Sequence, residues 1–257
     1  FFHPEHGIRD FCLSRGLGDV YKRQELHANI ISFSAGQCVM SFETGGREFI
    51  SCLKEIGDMP LPPYITKKRG AKKKDFKTYQ SPFAEVNGSV AAPTASLHFS
   101  KKFLVSLKKK NIPHCFITLH VSGGTFLPIR EKNLKNHKMH SEYASVEEDA
   151  ALQIRKTLKR GGKLIAVGTT VMRVLESSVF ADNGFQAFDG SVDTFIKPGH
   201  HFKVCSGLFT NFHLPKSTLF ILVNAFIGIK NAKKLYNLAI KKRYRLFSYG
   251  DCSLLFP

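Results

Sequence analysis

Acidic residues are scarce in this chain. Its 20 Asp and Glu stand against 38 Lys and Arg, a net charge of +18 over 257 residues. An excess of that size points to a polyanionic partner, most simply nucleic acid, or else an anionic membrane surface. Long hydrophobic runs are missing as well. The longest, Leu219 to Ile229, contains Asn224 and is too short to cross a bilayer, so membrane insertion is not expected. The cysteines (Cys12, Cys38, Cys52, Cys115, Cys205 and Cys252) show neither CxxC pairing nor metal-finger spacing. With no signal peptide, they read as reduced, structural thiols of a cytoplasmic protein. GxGxxG and GKT are absent, which weakens any simple nucleotide-loop reading, and no internal repeat is found. No initiator Met is present, and residues 1–24 lack a helix or strand period. They read as a non-native leader or a disordered basic arm and are set aside from fold reasoning.

What is present is a chain with 43% hydrophobic residues, enough for a substantial core in one large or two smaller domains. Leu26 to Glu43 alternates around Ser-Ala-Gly and predicts a β-hairpin, with a short helix over 49–56. The prolines of MPLPPYI predict an extended, helix-free connector and a domain boundary, giving units at 25–57 and 58–257. Residues 67–77, KKRGAKKKDFK, hold seven Lys and Arg and one Asp. Such a run is either a solvated loop or a phosphate-backbone contact. Ser100 opens an amphipathic helix and HCFITLHV (114–121) predicts a buried strand. Ser145 to Glu148 fits a capping box. KLIAVGTTVMRVLES predicts strand, turn and helix, and residues 182–192 a loop. Short strands are expected at 193–196 and 202–204, a longer one to Phe212, then helices from Ser217 and over 231–242. Helices and strands alternate from residue 58 onward, which predicts a mixed α/β domain.

Polar clusters between these elements supply candidate chemistry: Thr94 with His98, His120 with the SGGT loop at 122–125, and His137, His140 and Glu142. Imidazoles beside small residues suit proton transfer on a polar substrate. The HxxHxE run is not HExxH and lacks an evident fourth ligand, so a metal is not expected there. Thr169 and Thr170 open a helix whose free N–H groups suit an anion. Arg173 and Glu176, one turn apart, read as a surface ion pair of little energetic value. Asn211 and His213 sit where a strand ends.

Seven blocks then occur in order: MPLPPYI, YQSPFAEVNGSVAAPTASLHF, ITLHVSGGTF, HKMHSE, AVGTTVMRVLES, FKVCSGLFTNFHLPKSTL and YRLFSYGD. Together they resemble the S-adenosylmethionine:tRNA ribosyltransferase-isomerase family of queuosine biosynthesis, from Leu26 to the C-terminus. Ser96, Ser122-Gly123 and Cys252-Ser253 depart from the usual family pattern. The resemblance implies a large mixed α/β domain with a smaller inserted β-barrel domain, of which 25–57 would be the tail, and an N-terminally truncated chain. It implies a monomeric transferase acting on tRNA. The ribosyl group of S-adenosylmethionine is transferred and isomerised onto the aminomethyl group of a 7-deazaguanine at the wobble position. Adenine and methionine leave, and epoxyqueuosine results. No metal, and no cofactor beyond S-adenosylmethionine as cosubstrate, is implied. On this resemblance, proton transfer falls to His120, His140 and Glu142, with His213 alongside. Thr169, Thr170 and Arg173 would hold a carboxylate or phosphate, and Asn211 and His213 the ribose or base. Thr94 and His98 would join the cosubstrate site, and Tyr249 and Asp251 would meet the flipped-out nucleobase. The rival expectations are a noncatalytic tRNA-binding remnant and, more weakly, an RNA methyltransferase, whose glycine-rich loop is absent.

Overall fold

The computed structural model describes residues 26–34, 37–122, 129, 134, 137, 139–177 and 184–257. The leader at 1–24, the hairpin turn at 35–36 and Gly123, Gly124 and Thr125 lie outside the described residues. The chain divides into two compact units, residues 1–59 and Pro60–Pro257.

In the first unit β1 (Ala28–Ser34) pairs antiparallel with β2 (Gln37–Phe42), the register shifting between Ile30 and Ser32. Helix α1 (Gly46–Ile56) follows, with Phe49 against Phe42 at 4.7 Å between ring centroids. Among the described residues these strands close no barrel. A two-stranded ribbon buries little, and Ile31 and Phe33 remain 66% and 54% exposed.

The second unit opens with α2 (Pro63–Arg69) and α3 (Asp75–Thr78). The expected helix-free connector thus ends three residues early. Pro63 starts α2 because its fixed φ suits the first helical turn, where its missing N–H costs nothing. A 3-10 helix (Thr94–His98) precedes α4 (Lys101–Lys109), whose N-cap Ser100 accepts from the Phe103 N–H as its sequence predicts.

Strands β3 (Thr118–His120), β4 (Glu142–Val146) and β6 (Phe188–Val192) form an antiparallel sheet in the order β3-β4-β6. Strand β3 is shorter than the expected 114–121. Thr118 pairs with Ser145, and β4 ends one residue later, so the chain upstream of Ile117 has no partner to extend the ladder. The run expected as a loop at 182–192 supplies β6, because β4 offers it a free edge from Glu142 to Val146.

Helix α5 (Glu148–Lys159) follows β4 directly, with Glu147 at its N-cap and no side-chain cap. Ser145 is committed to the β4 ladder, so the expected capping box does not form. Strand β5 (Ile165–Val167) runs into α6 (Thr169–Ser177). Strand β7 (Gly207–Asn211) lies parallel to β5 and antiparallel to the terminal β8 (Cys252–Leu255). Between them α7 (Thr218–Ile227), apolar on nearly every side, packs into the core, while α8 (Ile229–Lys241) buries Ala232 and Ala239 and turns lysines outward. A single core joins the layers: Ala144 and Val146 of β4, Ile154 of α5, Met172 of α6, Leu208 of β7 and Leu222 and Phe226 of α7.

The stretches 193–196 and 202–204 form no strands. Side chains of α6 satisfy their backbone groups in place of a ladder. Arg173 donates through Nε to the Thr194 carbonyl at 3.0 Å and through Nη2 to the Val192 carbonyl at 3.4 Å. Its Nη1 lies 2.8 Å from Glu142 Oε2, with both side chains 2% exposed. Glu176 accepts instead from the N–H groups of Lys203, Val204 and Cys205 at 2.9, 3.1 and 2.8 Å. The expected surface pair between Arg173 and Glu176 is therefore two separate anchors, one of them a buried ion pair. Removing one partner of such a pair strands a charge, at a cost of about 3–5 kcal/mol. Arg173→Met or Glu142→Gln is expected to lower unfolding stability by about that amount in urea denaturation, with the double variant Arg173→Met/Glu142→Leu recovering most of it. A loss below about 1 kcal/mol in both single variants would contradict this account.

Candidate active site

Parallel β5 and β7 end on the same side of their sheet, the usual place for a binding crevice in α/β folds. At the end of β5 the chain turns through Gly168, whose φ of +107° is a left-handed value that side chains rarely adopt. The Gly168 N–H is held by the Phe209 carbonyl at 2.8 Å, and α6 starts at the next residue. The first helical N–H groups have no intrahelical acceptor, so those of Thr169 and Thr170 are available where the helix opens.

At the end of β7, Asn211 is 3% exposed and joins three segments. Thr94 Oγ1, in the 3-10 helix, donates to Asn211 Oδ1 at 2.8 Å, and Asn211 Nδ2 donates to the Gly250 carbonyl at 3.3 Å. His98 Nε2 also lies 3.1 Å from that carbonyl, which can only accept, so this nitrogen carries the proton. A Cβ on Gly250 would sit 2.4 Å from the Arg245 carbonyl oxygen, so only glycine closes this turn. His213 follows two residues after Asn211. Its N–H donates to Tyr236 Oη on α8 at 2.8 Å, and its Nε2 is 2.8 Å from Thr210 Oγ1. Burial pushes its imidazole down to about 4, leaving it neutral near pH 7.

Gly168, Thr169, Thr170, Thr210, Asn211 and His213 line one cleft, together with Tyr64, Ala91 to Ala95, Leu119, Val121, Val171, Phe247 and Ser248. Among the described lining residues there is no Asp, Glu, Lys or Arg, and His213 carries the one imidazole. Thr94, Thr169, Thr170, Asn211 and His213 of the expected site residues thus come together.

The other expected residues lie elsewhere. His120 alternates with the cleft-lining Leu119 and Val121 and stacks on Tyr143 at 5.5 Å. His140 is exposed, and Glu142 and Arg173 are spent on each other. Among the described residues no cluster of His, Cys, Asp and Glu is positioned to hold a metal ion. His98, Tyr249 and Asp251 brace the turn that carries Phe247 and Ser248. Asp251 accepts from the Arg245 N–H at 2.8 Å and from its guanidinium Nη2 at 2.6 Å, and Arg245 holds its carboxyl below the usual range. Tyr249 Oη donates to Asp75 at 2.9 Å.

A family model described as queuosine biosynthesis protein matches residues 12–255. The chain belongs to that queuosine biosynthesis family. It is 45% identical over 232 residues to an S-adenosylmethionine:tRNA ribosyltransferase-isomerase of Ruegeria sp. (strain TM1040), an alignment covering 90% of this chain and 66% of the relative. It is 49% identical over 220 residues to the protein of that name from Halothermothrix orenii, covering 86% and 63%. The crystal structure of S-adenosylmethionine tRNA ribosyltransferase from Thermotoga maritima matches with a TM-score of 0.51 and 38% identity, over 62% of this chain and 50% of that one. The chain thus spans about 66% of the Ruegeria relative's length.

Tyr64, Phe247, Ser248 and Ser217 line the cleft without having stood out in the sequence as site residues. Tyr64 was hidden in a proline-rich stretch read as a connector, although its Oη accepts from the Ser248 N–H at 2.8 Å and its ring meets Phe247 at 5.3 Å. Phe247 has φ of +71°, a strained value that only the folded turn reveals. Ser217 caps α7, a role its position before TLFILV does predict.

The His213 shift has a consequence for stability. A folded-state value near 4 against an ordinary 6.5 means that between these pH values the unfolded chain binds more protons than the folded one. Stability is therefore expected to fall as pH drops from about 6.5 through 4, by up to ~3 kcal/mol. NMR titration should find the His213 ring midpoint near 4, and His213→Gln should flatten this part of the stability–pH curve. A midpoint at 6.5 would contradict the burial argument.

Proposed function

We propose that this cleft transfers and isomerises the ribosyl group of S-adenosylmethionine onto the aminomethyl group of a 7-deazaguanine at the wobble position of tRNA. Adenine and methionine are released, and the nucleoside becomes epoxyqueuosine. Family membership and the relatives' names support the reaction class. The observation that supports the assignment to this cleft is His213, a neutral imidazole held by Thr210 and free of charged neighbours among the described lining residues.

The chemistry needs a base for the ribose carbon beside the sulfonium, an acid for departing adenine, and a place for the methionine carboxylate. His213 takes the proton, its neutral form being the accepting one. The N–H groups of Thr169 and Thr170 receive the carboxylate at the positive end of α6. Thr94, its hydroxyl proton given to Asn211, offers oxygen lone pairs to a ribose hydroxyl. Tyr64 and Phe247 present rings against which a purine-like base can stack. His98, Asn211, Tyr249 and Asp251 position these groups by holding the turn at 247–251. Glu142 and Arg173 fix α6 from behind, and His120 and His140 have no part in the step. S-adenosylmethionine is the sole cosubstrate in this reading.

The test is the mass of the wobble nucleoside after incubating this chain with S-adenosylmethionine and tRNA carrying the aminomethyl-deazaguanine. Gain of an epoxycyclopentanediol group with free adenine is expected. His213→Ala should lower turnover by about 10²–10⁴-fold while S-adenosylmethionine still binds by calorimetry. Full turnover in that variant would remove His213 from the reaction. An unchanged nucleoside with wild-type chain and intact tRNA binding would favour the noncatalytic tRNA-binding remnant.

A further inference from the structure

The run at 67–77 spans the end of α2, a turn at 70–74 and most of α3, and it is not uniformly charged in three dimensions. Its one acid, Asp75, is fully buried. Both carboxylate oxygens take an Arg69 guanidinium N–H at 2.8 Å, the Lys72 N–H adds a third bond at 2.8 Å, and Tyr249 Oη a fourth. Arg69 beside it holds the carboxyl well below the usual carboxylate range. The segment's negative charge is thus neutralised inside, and what faces solvent is cation: Lys67, Lys68, Lys72, Lys73, Lys74 and Lys77 are all exposed. Among them stands Phe76, 47% exposed, the one large apolar side chain turned outward between residues 60 and 78.

Two contacts place this ridge beside the cleft. Tyr64, one turn before Lys67 and Lys68 on α2, lines the cleft and holds Ser248. Tyr249, bonded to Asp75 and to Thr78 Oγ1 at 3.1 Å, belongs to the turn that carries Phe247 and Ser248. The buried carboxylate therefore pins a lysine ridge to the cleft's rim, so the cations are pre-arranged instead of being ordered on binding.

Resting on the proposed tRNA reaction, we infer that the α2–α3 ridge is the docking surface for the RNA backbone. Its lysines contact phosphates next to the modified nucleotide, and Phe76 stacks on an unpaired neighbouring base. Lysines interleaved with an exposed aromatic ring form the pattern that grips single-stranded loops. An anionic membrane would call for a broad apolar face beside the lysines. Here Ile65 points inward and one ring points out.

The experiment uses the whole chain and a fluorescent RNA stem-loop with the tRNA anticodon-arm sequence, followed by anisotropy across a salt series. Lys72→Ala/Lys73→Ala/Lys74→Ala should reduce the slope of log affinity against log salt by about 2–3, at roughly 0.7–0.9 per lost phosphate contact. Phe76→Ala should weaken binding about 10-fold with the slope unchanged. Lys108→Ala/Lys109→Ala/Lys110→Ala removes the same charge from exposed positions at the end of α4 and should leave the slope near the wild-type value. Equal losses from the two triple variants would overturn the ridge as docking surface, as would wild-type binding by the ridge variant. If either occurs while the wobble nucleoside is still converted, the reaction stands and only the docking surface falls. A wild-type chain that ignores RNA at low salt would defeat both, and ridge-dependent sedimentation with phosphatidylserine vesicles in that case would assign the ridge to a membrane.

Discussion

The buried pair between Arg173 and Glu142 is the interaction on which the second unit depends. A guanidinium 2% exposed is tolerable only when its charge is matched and its donors are filled, and Glu142 with the carbonyls of Val192 and Thr194 does both. One side chain thereby ties α6 to the antiparallel sheet and closes the irregular stretch after β6. Glu176, one turn along, gives the opposite service to three N–H groups at 203–205. Helix α6 is thus fixed at two successive turns, and so is its opening at Thr169 that faces the cleft.

Asn211 plays the corresponding part at the cleft itself. It accepts from Thr94 and donates to Gly250, so an amide at the end of β7 aligns a 3-10 helix with the C-terminal turn. Burial among largely apolar walls leaves His213 neutral by desolvation. None of the described lysines and arginines lines the cleft, and several stand on surfaces such as the α2–α3 ridge. Asp75, the only acid of that segment, is buried and bonded to Tyr249 at the cleft's rim.

Most regular elements of the second unit were legible because local signals agreed with tertiary needs. Ser100 and Ser217 cap the helices they precede, and GTT after β5 opens α6. The failures share a cause. FDGSV looks like a loop until β4 offers it an edge, and 193–196 and 202–204 look like strands until Arg173 and Glu176 take their backbone partners. Hydrogen-bond competition between distant residues carries no periodic signature.

By itself the sequence determined the mixed α/β class, the basic surface and, through its ordered blocks, the resemblance to the queuosine family. It also placed Thr94, Thr169, Thr170, Asn211 and His213 among the residues of interest, because polar groups where strands end and helices begin are visible as local patterns. Only the tertiary structure decided that these five share a cleft and that Glu142 and Arg173 neutralise each other behind it. Likewise only the fold brings Tyr64 to Ser248 and Tyr249 to Asp75, pairs more than 170 positions apart. Residue type sets what a side chain can do. Which groups face a cleft and which are spent on one another depends on long-range packing, where buried polar atoms must each find a partner.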